Sequence, residues 1–540
     1  MRAQLWVHLP VVPIALPMLA GAIMLALGGE QRRTINAIIN VAVTFALIAV
    51  AVTLLYAADH APGGIAGVYR LGNWPAPFAI VLVADRLAAM MVLLTSLLAF
   101  AAVVLSLARW HRAGVLFHPL FQFLLMGVNG AFLTGDLFNL FVFFEVLLAA
   151  SYGLALHGSG TARVTSGLHY IAINLVVSLC FLVGVSLIYG VVGTLNMADI
   201  ASRIAGVRAE DRALLEAGAG ILGIAFLVKA GMWPLSFWLP HTYVTATPPV
   251  SAIFAILTKV GAYVVLRLWL LFFGADAGVS AQLGSTFLLA GGIATLIYGT
   301  IGCLASQDLK HLAAHSVLVS AGTVLAAVAL NQPAVTAAAL FYLVSSTLGL
   351  GALFLLIELA ERGREPGADV LAVTRELYGE GDDAPIDEQD EVGIAIPAAM
   401  GVLGLAFISC ALVISGMPPL AGFLAKFAML TSALSPVNGN VPGTGWVLLI
   451  VLMVSGLLTF VAMIRAGIRT FWVAANIVPR VGLIEIIPVL ALIAMSAVQA
   501  VNAGPVMLFM QATANSLHGP QEYIRNVLGA TTESGEWKKQ

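Results

Sequence analysis

The sequence predicts an all-α, polytopic membrane protein of about 14 transmembrane helices. Composition is the first reason: 60% of the 540 residues are hydrophobic and only 10% charged, and the mean hydropathy of +1.00 fits no soluble globular class. The second reason is spacing, because apolar runs of about 20 residues, the length that crosses a bilayer, recur along the whole chain. The third is that two of these runs are interrupted by proline, which marks a seventh and a twelfth helix as discontinuous.

Taken in order, spans are expected near 7–28, 34–57, 84–107, 117–134, 136–157, 163–191, 216–246 (broken), 250–272, 284–303, 311–330, 334–358, 393–434 (broken), 445–473 and 483–503. The opening run MRAQLWVHLPVVPIALPMLAGAIMLAL is long and further spans follow it directly, so it reads as a first membrane helix and not as a signal peptide. The hydrophilic stretch 358–391, with REPGAD and EGDDAPIDEQDEV, reads by composition as a solvated acidic loop. Basic residues favour the odd-numbered loops, notably Arg32 and Arg33, Arg109 and Arg112, and Arg465 and Arg469. The positive-inside rule then places odd loops in the cytoplasm and the termini outside, with Arg203, Arg208 and Arg212 weighing against it.

Several function classes drop out. A net charge of −2 offers no surface for nucleic acid. Cys180, Cys303 and Cys410 are isolated in apolar runs, without spacing for a disulfide framework, an iron–sulfur site or another metal site. Neither a dinucleotide fingerprint nor a phosphate-binding loop follows a strand pattern, and no cofactor is expected.

The chemistry concentrates in residues 227–267, where Lys229 and Lys259 sit in apolar helices interrupted by Pro234, Pro240, Pro248 and Pro249. A lysine near the bilayer centre costs at least ~3 kcal/mol on insertion scales, so it faces a partner or a wet cavity. Pro234 collides with the carbonyl of Ala230, which should end the helix one turn after Lys229 and leave free carbonyls beside its ammonium. Glu145 is the one acidic residue placed mid-helix. It lies nine residues after Asp136, about 13–14 Å deep in a ~30 Å core, at the depth of the two lysines. Two readings are open for these charges. They form static buried ion pairs, or they form a proton switch, in which the lysine holds its proton while the carboxylate is near and releases it when the carboxylate withdraws.

A repeat extends the pattern. GMWPLSFWLPH at 231–241 and GMPPLAGFLAK at 416–426 share Gly, Met, Pro, Leu and Leu in register, each in a proline-broken run, as in duplicated bundles with a midplane path. Lys426, seven residues after Pro419, repeats the lysine near a break. His241 and His315 are candidate proton relays near neutral pH, although a histidine near a helix end is often simply hydrogen-bonded. His169 is a further candidate.

These residues resemble a known family. GDLFNLFVFFE (135–145), LVKAGMWPLSFWLPHTY (227–243), TKVGAY (258–263), DLKHLAAHS (308–316) and GMPPLAGFLAKF (416–427) are similar to the antiporter-like subunits shared by Mrp/Pha cation/proton antiporters and the membrane arm of respiratory NADH:quinone oxidoreductase, and most of all to the D subunit of the Mrp/Pha type. The resemblance implies 14 helices in two inverted repeats, divided here as 1–110, 111–272, 273–475 and 476–540. It implies that Glu145 gates Lys229, that Lys259 connects and that Lys426 is the terminal residue of a midplane relay. It also implies a hetero-oligomer of antiporter subunits in a bacterial inner membrane, exchanging protons for Na+ or K+. Where many relatives carry a histidine in the eleventh helix, this chain has Ser345 and Ser346, which shifts the central relay toward His315 and bound water. An oxidoreductase membrane-arm subunit and a stand-alone solute transporter are the alternatives.

Overall fold

The computed structural model describes residues 8–28, 32–110, 114–158, 160–362, 398–436, 440–472 and 481–529. Among these, 13 helices are long and apolar enough to cross a membrane. They are α1 (Val12–Leu27, with a preceding 3-10 turn), α2 (Arg33–His60), α3 (Arg86–Ser106), α5 (Leu137–Ala155), α6 (Thr161–Val192), α8 (Ala209–Ala230), α10 (Pro248–Phe272), α11 (Ser285–Ala305), α12 (Leu309–Ala329), α13 (Pro333–Glu361), α14 (Ala398–Ser415), α16 (Gly443–Gly467) and α17 (Leu483–Val501). The expected fourth span is α4 (Phe117–Leu133), one residue short of that length threshold. Shorter helices are α7 (Met197–Ile204), α9 (Trp238–Thr245), α15 (Ala421–Ala433), α18 (Ala503–His518) and α19 (Gln521–Leu528).

Burial separates a centre from a rim. The apolar window of α10 is 100% buried and those of α12 and α13 are 94% buried, whereas α2 is 28% and α6 33% buried. The first three therefore form the core, and α2 and α6 show most of their apolar surface to the surroundings, as a lipid-facing helix does.

Both expected helix breaks are present. Pro234 lacks an N–H and would strike the carbonyl of Ala230, and α8 ends at Ala230. Gly231 turns left-handed at φ 76°, and the N–H groups of Gly231 and Met232 bond the carbonyls of Val228 and Leu227 at 3.0 and 2.9 Å. In the second break α14 ends at Ser415, Gly416 sits at φ 77°, and the N–H groups of Gly416 and Met417 both reach the carbonyl of Leu412 at 3.0 Å. Only glycine holds that backbone at little cost, which explains the shared Gly of the two motifs.

The structure differs from the sequence reading in four places. The segment between the second and third spans holds an antiparallel hairpin, β1 (Ile65–Arg70) and β2 (Val81–Asp85), with Val68 opposite Val83. α8 starts at Ala209, a turn and more before the expected 216. α13 runs on to Glu361, into the stretch expected to be loop, because Arg362 bonds Glu358 (3.1 Å) and Glu485 (2.5 Å) and pairs the charges at that helix end. The rest of the expected acidic loop, from residue 363, lies outside the described residues. α18 adds a sixteen-residue helix after the last span.

The hairpin serves the site by fixing where α5 begins. Gly135 donates to the Val81 carbonyl at 2.9 Å, Leu137 to Leu195 at 2.9 Å, and Met197 to Gly135 at 2.9 Å. Asp136 then caps α5 by accepting from the Asn139 N–H at 2.8 Å. Nearby, Asp85 takes a two-pronged bond from Arg267 of α10 at 2.5 and 2.7 Å, and the guanidinium lies 5.4 Å from the Tyr523 ring of α19. The start of α5, and with it the height of Glu145, is thereby tied to the core helix α10.

Candidate functional site

The three lysines singled out from the sequence are buried: Lys229 is 8% exposed, Lys259 0% and Lys426 7%. None has a carboxylate oxygen within 4.0 Å among the described residues. Each ammonium instead has one neutral acceptor. Lys229 donates to Asn174 Oδ1 at 2.5 Å, Lys259 to Ser320 Oγ at 2.6 Å, and Lys426 to the carbonyl of Ser415 at 2.7 Å.

The expected Glu145–Lys229 contact is open in this structure. Glu145, partly buried on α5, accepts a bond from Ser178 Oγ at 2.5 Å. Ser178 and Asn174 are four residues apart on α6 and so share one face, a turn apart. A single helix thus holds the carboxylate with one residue and the ammonium with the next on that face. Phe144 lies beside the pair, its ring centroid 5.9 Å from the Lys229 Nζ. Asn174 is itself fixed, its Nδ2 donating to the Tyr170 carbonyl at 2.7 Å.

The second half repeats this arrangement on α13. Ser346 shares a 2.9 Å hydrogen bond with Ser320, which holds Lys259. Tyr342, one turn before Ser346 on the same face, presents its ring 5.9 Å from the Lys426 Nζ. α13 therefore stands between Lys259 and Lys426 as α6 stands between Glu145 and Lys229.

Close helix approaches set these distances. A Cβ on Gly261 of α10 would meet the Ala230 N at 2.5 Å and the Lys229 carbonyl carbon at 2.8 Å, so Gly261 lets α10 lie against α8 at the height of Lys229. That explains the Gly of TKVGAY, two residues after Lys259. A Cβ on Gly456 of α16 would come within 3.4 Å of the Lys426 Nζ, so α16 closes the terminal lysine's pocket.

Near Lys229 the carbonyls of Val228 and Leu227 accept backbone N–H groups, and Val228 also accepts the Trp238 indole at 3.3 Å. The Lys229 ammonium takes the Asn174 side chain. In the second break the Ser415 carbonyl is open to a donor, and Lys426 takes it.

Among the described residues none of the three lysines hydrogen-bonds a histidine. His315 is partly buried, its Nδ1–H donating to the His311 carbonyl at 2.9 Å, and its ring fills the space over Gly302 that a Cβ would enter. Ser320, backed by Ser346, and not His315, meets the Lys259 ammonium. His241 is exposed on α9, and His169 is exposed on the outer face of α6. Sequence reasoning named the charged residues and missed their holders Asn174, Ser178, Ser320 and Tyr342. Ser346 entered it only as a departure from the family pattern.

Comparison with known proteins gives relatives over nearly the whole chain. Residues 134–459 match the family described as NADH:quinone oxidoreductase/Mrp antiporter, TM. The chain is 54% identical over 530 residues, covering 97% of itself and 98% of the relative, to a probable D subunit of a K(+)/H(+) antiporter of Rhizobium meliloti (strain 1021). It is 32% identical, covering 96% and 99%, to the D subunit of a Na(+)/H(+) antiporter of Alkalihalophilus pseudofirmus. Among solved structures it superposes on a chain of the Mrp complex from Dietzia sp. DQ12-45-1b with a TM-score of 0.82 at 25% identity, covering 97% of this chain and all of that one. The chain therefore belongs to the NADH:quinone oxidoreductase/Mrp antiporter family of multi-pass membrane proteins, on the branch of the Mrp-type D subunits.

Proposed function

We propose that this chain is the proton-translocating subunit of a multisubunit monovalent cation/proton antiporter. Protons pass through Glu145, Lys229, Lys259 and Lys426, and His315 and His241 serve the end of the path nearer the odd-numbered loops. The observation that carries this reading is the neutral partner of every buried lysine. A static ion pair would set a carboxylate against each ammonium. An amide oxygen, a hydroxyl or a carbonyl accepts from –NH3+ and also, more weakly, from –NH2, so the lysine can change charge without losing its partner. α6 bonds Glu145 and Lys229 one turn apart, α13 stands between Lys259 and Lys426 through Ser346 and Tyr342, and small side-chain movements close or open each step. The two repeats, 111–272 and 273–475, each supply one such bridging helix.

The greater likeness to the D subunit of a K(+)/H(+) antiporter supports K+ as the exchanged ion. As a transporter subunit the chain has no redox reaction of its own. The assembly sits in a bacterial inner membrane with odd loops cytoplasmic and termini periplasmic. A cysteine placed between residues 376 and 391 should then react with impermeant reagent only when the cytoplasmic face is exposed, and labelling from the periplasm would invert this orientation.

The activity test is K+-driven and Na+-driven proton exchange in vesicles carrying the whole complex, against vesicles lacking this subunit. Within that assay Glu145→Ala should abolish exchange in an assembled complex, and Glu145→Asp should keep part of it. Full exchange by the alanine variant removes Glu145 from the path.

A further inference from the structure

An apolar cavity of about 340 Å³ lies among α8, α10 and α11, outside the lysine row. Its walls include Leu227, Val264, Leu268 and Phe272, and it opens sideways past Ile224 and Phe287, which are 45% and 59% exposed. From Glu216 at its mouth to Leu227 at its floor is eleven residues of α8, about 16 Å, half of a ~30 Å hydrocarbon core. Over that length a helix, about 10–12 Å across, would need several times this volume and does not fit. A single hydrocarbon chain of one leaflet does.

The Glu216 end of the cavity is polar and carries both signs. Ser280 Oγ donates to Glu216 Oε1 at 2.7 Å and accepts from Arg212 Nη1 at 3.0 Å. Arg212 also donates from Nη2 to the Val207 carbonyl at 2.9 Å, which uses two of a guanidinium's five N–H donors. In the same loop region Arg203 pairs with Asp199 at 2.8 Å and Arg208 with Asp211 at 2.6 Å, whereas Arg212 has no carboxylate within 4.0 Å among the described residues. Arg212 and Glu216 are four residues apart on one face of α8. A partly exposed cation and a carboxylate about one turn apart, at the mouth of an acyl-sized slot, match a headgroup that holds a phosphate and an ammonium.

We propose that this cavity binds one acyl chain of an aminophospholipid, with its phosphate on Arg212 and its ammonium on Glu216. The lipid fills the space behind Leu227, two residues from Lys229, and keeps that side of α8 dry. It also accounts for an arginine that weighs against the orientation drawn from the basic loops, since Arg212 faces a headgroup.

The test is mass spectrometry of lipid retained by the purified, assembled complex. The unaltered complex should keep one aminophospholipid per copy of this subunit. A Cβ at Gly220 or Gly223 meets nothing within 4 Å and both glycines line the cavity, so Gly220→Leu/Gly223→Leu should fill it and lower retention at least fivefold. Arg212→Gln and Glu216→Gln, at the mouth and away from the core, should each lower it severalfold. Undiminished retention in the filled variant overturns the proposal. So does an anionic phospholipid bound in place of the aminophospholipid, and so does a Gly223→Cys cross-link to another subunit, which would show a partner covering the mouth.

Discussion

Lys229→Arg should assemble normally and exchange nothing. Arginine keeps the positive charge and can still donate to an oxygen at Asn174, but it does not release a proton at any relevant pH. Exchange should fall at least about a hundredfold, the scale on which loss of a proton-transfer group acts. If Lys229 were scaffolding, holding α8 to α6 through its 2.5 Å bond to Asn174, arginine would preserve much of the activity. An active arginine variant would move the proton path to Lys259 and His315.

The second large effect is expected at the serine pair between the two halves. Lys259 is fully buried, and its ammonium donates to Ser320, which is hydrogen-bonded to Ser346. Ser320→Ala leaves a buried donor unpaired, at a cost of about 1–3 kcal/mol and more when the group is charged. It therefore biases Lys259 toward the neutral amine and should cut exchange at least about tenfold. Ser320→Ala/Ser346→Ala removes the hydroxyl that accepts from Lys259 and the one behind it and should abolish exchange in an assembled complex, while Ser320→Thr, which keeps the hydroxyl, should retain most of it. Exchange at the unaltered rate in the double alanine variant would mean that Lys259 communicates by another route.

How much of this was legible in the sequence depends on energetic cost. Glu145, Lys229, Lys259 and Lys426 stand out because an ionisable group in an apolar run is expensive and so rarely incidental. The breaks stand out because Pro234 and Pro419 forbid an unbroken helix. Asn174, Ser178, Ser320 and Tyr342 carry no such mark. A hydroxyl in a membrane helix commonly bonds back to its own turn, as Thr44 does to the Asn40 carbonyl and Ser316 to that of Leu312. A serine in a span therefore does not announce a partner on another helix, and only the packing of α6 against α5 and α8 singles out Asn174 and Ser178.

The hairpin was hidden for a different reason. Its strands are six and five residues long, too short to signal against the flanking helices, and the turn that allows them has Gly72 and Asn73 at φ 67° and 56°, a local feature of LGNWP easily read as loop. The Asp85–Arg267 pair spans 182 residues. From sequence Arg267 looks like a helix-end arginine reaching for the interface, and its buried position is a product of the tertiary fold.

On the proposed function Glu145 and Lys229 form a switch that carries a proton, as opposed to a pair that holds helices together. Replacing a buried ion pair with apolar or neutral groups is often neutral or stabilising for the fold, so Glu145→Gln/Lys229→Met separates the two roles. The measurement is cation/proton exchange in vesicles, alongside the amount of assembled complex from the same preparation. A switch predicts full assembly with no exchange; full assembly with exchange near the unaltered rate would contradict it.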